Sequence, residues 1–159
     1  MAVASLNELV KDRDMVLLYR EYLHDLHSSE NLSFWMEVEN YKNLPQEELE
    51  VVGREIYDKY ISKDSPYEIN IDSKMRKQVV ASVAVGYTQN IFTPIQNAIW
   101  KSMELDTFPK FLQSPAYKKL QSGNTTAKTK ITRTRSGTLG MVDRYFERQN
   151  THSNNNPSS

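Results

Sequence analysis

From Leu6 to Leu120 the apolar residues recur at three- and four-residue spacing and nowhere alternate convincingly with a period of two, a pattern that admits helices packed on helices. Leu6, Leu9 and Val10 outline a short first helix, and Met15, Leu18, Tyr22 and Leu23 a second that stops near His24 and His27. Ser28 or Ser29 caps the next, with Glu30 in its first turn, where the helix dipole favours a negative charge. Within that helix Leu32, Phe34, Trp35, Met36, Val38 and Tyr41, plotted at about 3.6 residues per turn, cover two sides, which places it between other helices at the centre of a bundle. Pro45 opens a helix carrying Leu49, Val52, Ile56, Tyr60 and Ile61, broken at Asp64-Ser65-Pro66. Residues 67–72 read as a loop in which Ile69 and Ile71 point inward and Glu68, Asn70 and Asp72 outward. Asp72 or Ser73 then caps a helix with Met75, Val79, Val80 and Val83, ended by Gly86, and Thr93-Pro94 and Ser114-Pro115 start two more. Ile95, Ile99 and Met103 form the stripe of the first of these. The predicted class is all-α.

A chain of 159 residues has room for one well-buried core. Charge divides it unevenly: residues 1–120 carry 14 Lys/Arg against 18 Asp/Glu, net −4, whereas 121–159 carry 6 against 2, net +4. We therefore read 1–121 as the folded domain and 122–159 as a basic tail rich in Ser, Thr and Asn, whose few apolar residues cannot offset the entropy of ordering. Residues 122–138 and 150–159 are expected to be disordered, with a short amphipathic helix over 139–149. No segment approaches the roughly 18–20 apolar residues of a membrane span, and the N-terminus lacks a signal-peptide pattern, so the expected address is the cytoplasm. With no cysteine there is no disulfide, thiolate nucleophile or cysteine-bound zinc.

Catalytic patterns are missing. His24 and His27 lie one turn apart near Glu21 and Asp25, but two histidines at a helix end read better as dipole partners than as metal ligands. Gly137-Thr138-Leu139-Gly140 lacks the lysine and the preceding strand of a phosphate loop. Glu37 and Glu39 fall on different sides of their helix and read as solvated charges. We expect no metal, no cofactor and no chemistry of the chain's own.

Four ordered stretches carry more information: Glu30-Asn31-Leu32-Ser33-Phe34-Trp35, Ile56-Tyr57-Asp58-Lys59-Tyr60-Ile61, Ile69-Asn70-Ile71-Asp72-Ser73, and Met103-Glu104-Leu105-Asp106-Thr107-Phe108-Pro109-Lys110-Phe111-Leu112. In these, residues of about 6–121 resemble the RGS domain, the regulator-of-G-protein-signalling box. The resemblance implies a bundle of about nine helices. It also implies a GTPase activator that grips the switch loops of a Gα subunit in the hydrolysis transition state and leaves the chemistry to that partner. Asn70 matches the family asparagine that reaches toward the switch loops; its amide both donates and accepts, so it can orient a glutamine side chain. Glu30 and Asn31 match the acidic and amide pair, and Asp106 an aspartate that receives a donor from the partner. Ser28, Glu68, Ser102, Thr107 and Lys110 complete the implied Gα-binding set, while Asp72 and Ser73 match positions that shape the loop. Phe34 and Trp35 also match but read as core, with Trp35→Ala expected to cost roughly 3–5 kcal/mol.

Two departures fall in the last stretch. Ser102 stands where many members carry leucine and Lys110 where they usually carry arginine, and lysine's point charge does not replace arginine's planar fork. The competing reading is a scaffold that uses the same fold to bind proteins without acting on GTP. The tail suggests a further contact: Leu139, Val142, Tyr145 and Phe146 beside Arg144 and Arg148, with Lys128, Lys130, Arg133 and Arg135, make a weak anionic-membrane surface over 122–149 that would recruit the protein to the inner face of the plasma membrane. Arg133-Thr134-Arg135-Ser136 has the form of a basic-directed kinase site. No nucleic-acid partner is expected, and the default assembly is a monomer.

Overall fold

The structure, a computed structural model, describes residues 3–123 and 136–154. Eight α-helices precede Gly123: α1 (Leu6–Leu9), α2 (Arg13–Asp25), α3 (Ser29–Lys42), α4 (Gln46–Ile56), α5 (Ser73–Val85), α6 (Thr93–Ser102), α7 (Phe108–Leu112) and α8 (Pro115–Gln121). A ninth, α9 (Ser136–Asn154), lies in the tail, and no strand occurs among the described residues. Two wider π-helical turns, Tyr57–Ile61 and Met103–Thr107, follow α4 and α6. The chain groups into two compact units, one from Glu30 to Ser102 and one combining the residues up to Ser29 with those from Met103 onward.

The first-mentioned unit is organised by α3. Leu32, Phe34, Met36, Val38 and Tyr41 are all buried, and because they occupy two sides of the helix, α3 is covered from two directions as expected. Phe34 meets Tyr60 edge-on at 5.5 Å and Phe92 at 6.4 Å, and Tyr41 meets Phe92 at 5.2 Å. Burying one such ring contributes about 1.5–3 kcal/mol. Trp35 departs from the core reading: it is only half-buried and lies against Trp100 at 4.9 Å. Glu37 and Glu39 are not solvated charges either. Glu37 accepts from Lys59 at 2.9 Å, and Glu39 accepts from Lys42 at 3.2 Å and from the buried amide of Gln96 at 2.7 Å. Gln96 is invisible to apolar periodicity, yet its amide also donates to the Trp35 carbonyl at 3.1 Å, tying α6 to α3. In α5 only Val79 is buried, while Val80 remains 46% exposed, because consecutive helical residues point about 100° apart and cannot share one narrow contact face.

In the other unit, Ser5, Asp12 and Ser114 cap α1, α2 and α8 through their side-chain oxygens. The helix α2 ends in a Schellman motif: the Ser28 N–H donates to the Leu23 carbonyl at 2.8 Å and the His27 N–H to the His24 carbonyl at 3.0 Å, with His27 at φ 57°. His27 is thus the left-handed residue of a helix stop. Leu6, Leu9, Val16, Tyr19, Leu23, Met103 and Phe111 form the core, and the Val3 N–H donates to the Tyr117 hydroxyl at 3.0 Å.

The tail departs from expectation. The helix α9 runs beyond 139–149 at both ends, so residues 136–138 and 150–154 are helical. Met141, Val142 and Tyr145 are buried, and Arg13 pairs with Asp143, which brings α9 against the start of α2. Val142 and Tyr145, two of the residues read as membrane-facing, are therefore covered by protein, while Phe146 is half-buried and the Leu139 side chain lies outside the described residues. Residues 124–135 and 155–159, with Lys128, Lys130, Arg133, Thr134 and Arg135, lie outside the described residues, as does the Ser136 side chain. Among the described residues no helix is long and apolar enough to cross a membrane.

Candidate protein-binding residues

Asn70 owes its position to the residues on either side of it. The Tyr67 N–H donates to the Lys59 carbonyl at 3.2 Å and the Ile69 N–H to the Tyr60 carbonyl at 2.9 Å, so the loop is stitched to the π-helical turn after α4. Ile69 is 1% exposed while Glu68 and Asn70 on either side of it are exposed, as the alternation predicted. Asp72 accepts from the Met75 N–H at 2.7 Å and starts α5, with Ser73 its first residue. Arg76, one turn into α5, donates to the Ile61 carbonyl and to Glu68 at 2.9 Å. Glu68 is thereby a brace of the loop, a role its sequence position did not suggest. The exposed Asn70 amide makes no hydrogen bond among the described residues and faces outward from a backbone fixed on both sides. Ile71 is half-buried.

In the same unit Glu30 and Asn31 occupy the first turn of α3, half-exposed, immediately before the buried Leu32 and Ser33. Ser102 is the exposed last residue of α6.

Ser28, Asp106, Thr107 and Lys110 belong to the other unit. Ser28 is half-buried and its hydroxyl donates to the Leu26 carbonyl at 3.3 Å. Met103, Phe108 and Phe111 are buried, so the π-helical turn and α7 are pinned at both ends while Asp106 and Lys110 stand in solvent, 60% and 65% exposed, joined by a 2.7 Å ion pair. That hydrogen bond to Asp106 raises the Lys110 pKa above its ordinary value. Thr107 is less accessible than its sequence neighbours suggested: it is half-buried and its hydroxyl lies 2.6 Å from the Tyr19 hydroxyl. Leu105 is 72% exposed between Glu104 and Asp106, an apolar residue in this segment that the motif reading passed over. Only the folded structure reveals this exposure, because leucine reads as core by default. Among the described residues no three His, Asp or Glu side chains gather as a metal site.

The family profile described as the Regulator of G protein signaling domain matches residues 5–120. The chain belongs to the RGS family. Mouse Regulator of G-protein signaling 13 is 36% identical over 117 residues, 73% of each chain, and the human protein of that name is 36% identical over 105 residues, 65% of each. Mouse Regulator of G-protein signaling 18 is 30% identical over 130 residues, which take in 81% of this chain and 55% of that one. The all-α fold is thus that of an RGS domain, and α9 lies beyond the residues the family profile matches.

Proposed function

We propose that this RGS domain is a GTPase activator for heterotrimeric Gα subunits, binding the switch loops in the transition state for GTP hydrolysis and so ending the signal. The observation that supports this best is Asn70: an outward amide without a hydrogen-bond partner among the described residues, on a backbone held by the Ile69 and Asp72 anchors. Phosphoryl transfer depends on positioning and charge stabilisation, so a group that holds a partner's water-orienting glutamine needs no acid–base chemistry of its own. Rigid support matters because ordering a loop during binding would use up affinity. Glu30, Asn31, Asp106 and Lys110 supply further polar contacts of both charges, and the relatives' names place them in G-protein signalling.

Single-turnover GTP hydrolysis by representative Gα subunits, with wild type, with Asn70→Ala and with neither, tests the reading. Wild type should accelerate hydrolysis, and the folded variant should lose roughly 10–100-fold of that stimulation, the equivalent of one or two well-placed hydrogen bonds. A folded wild type to which no Gα class responds would leave a scaffold as the use of this fold.

A further inference from the structure

Tyr19, on α2, reaches the Met103–Leu112 segment with both its ring and its hydroxyl. It is 0% exposed. Its ring meets Phe108 edge-on at 6.5 Å and Phe111 at 5.1 Å, and its hydroxyl sits 2.6 Å from Thr107 Oγ1. These three partners flank the exposed pair: Thr107 directly follows Asp106, and Phe111 directly follows Lys110. Resting on the activator reading above, we propose that Tyr19 is a positioning residue for Gα recognition, its buried hydroxyl holding Thr107 and hence the backbone from which Asp106 and Lys110 project.

The need for such a tie follows from the local geometry. Met103–Thr107 is a π-helical turn, a rare arrangement, and the α7 that follows has only five residues, too few to hold its shape by backbone hydrogen bonds alone. Apart from Tyr19, the Thr107 hydroxyl reaches among the described residues only the Met103 carbonyl, at a long 3.5 Å. Phenylalanine at 19 would keep the ring contacts and remove the hydroxyl, leaving Thr107 freer to change rotamer and the turn freer to open. The partner would then have to order the segment on binding, which weakens affinity while leaving the rate of the saturated complex nearly unchanged.

The test is Tyr19→Phe in the full chain, read in two ways: single-turnover hydrolysis as a function of activator concentration, and amide hydrogen exchange of the free protein. We expect the half-saturating concentration to rise roughly 3–10-fold, with the maximal rate within about twofold. Exchange should quicken at residues 104–110 and stay as in wild type at α1 and α8. An unchanged half-saturating concentration, a fall in maximal rate alone, unchanged exchange at 104–110, or faster exchange throughout the unit would each overturn the proposal. If wild type stimulates no Gα, the activator reading falls and with it the recognition role. Faster exchange at 104–110 would then show the hydroxyl tie to be structural only.

Discussion

Lys110 places one ammonium against one oxygen of Asp106, at 2.7 Å and in solvent. An arginine four residues after the aspartate can span both carboxylate oxygens with its planar fork, holding Asp106 in a single orientation. Lys110→Arg should therefore raise the stimulated hydrolysis rate on at least one Gα class, by up to about fivefold given how little exposed pairs contribute. Equal or lower rates on every class would count against it. Two neighbouring aromatics separate just as sharply. Phe34 is fully buried among Tyr60 and Phe92, so Phe34→Ala should cost roughly 3–5 kcal/mol in urea unfolding. Half-buried Trp35 should cost about half as much, and a loss equal to that of Phe34 would show that its contact with Trp100 matters more than its exposure suggests. Periodicity treats these residues alike, because the angle between them on the helix is known but the distance to the next helix is not. Asn70 and Asp106 were legible as exposed polar residues; the tie between Tyr19 and Thr107 was not, since it joins residues 88 positions apart.

Among the elements, α4 contains a glycine that has no conformational need to be there. Gly53 is buried, and a methyl group in its place would overlap the Tyr87 ring, whose Cε1 would lie only 2.9 Å away. Alanine normally favours a helix interior by about 1 kcal/mol over glycine. Here Gly53→Ala should instead destabilise by roughly 1–3 kcal/mol, and in a Tyr87→Ala background the sign should reverse; additive effects in that double-mutant cycle would contradict the close approach. The tail helix α9 offers a second test. Val142 is 0% exposed, so Val142→Asp should undock α9, lower the melting temperature and speed exchange over 140–150. Arg13→Ala, which breaks a pair half in solvent, should cost less than about 1 kcal/mol. Unaltered melting of Val142→Asp would mean that α9 contributes nothing to stability. The helix was underestimated from sequence because a sparse apolar stripe, Met141, Val142 and Tyr145, forms a stable helix only when a tertiary surface covers it.

On the scale of the whole molecule, each unit contains a buried tyrosine whose hydroxyl resists ionisation. Burial pushes Tyr19 up to about 12, against the opposing effect of the Thr107 hydrogen bond, and burial likewise pushes Tyr41 up to about 12, its hydroxyl donating to the Thr88 carbonyl at 2.7 Å. Because both folded values exceed the ordinary 10, the unfolded chain loses these protons first as pH rises. The stabilisation is complete below pH 10 and disappears between about 10 and 12. Urea unfolding from pH 8 to 12 should show a plateau followed by this decline, and Tyr41→Phe should remove its share; an equally steep decline in that variant would assign the loss elsewhere. By itself the sequence determined the all-α class, the two-sided role of α3, the helix starts at Asp72-Ser73 and Ser114-Pro115 and the outward face of the Asn70 loop, because each depends on spacing within one segment. Only the tertiary structure decided the Gln96 bridge to α3, the bracing of Glu68 by Arg76, the engagement of Thr107 by Tyr19 and the docking of α9. These depend on which distant segments meet, and a meeting between side chains far apart in the chain leaves no periodic trace in the residues that make it.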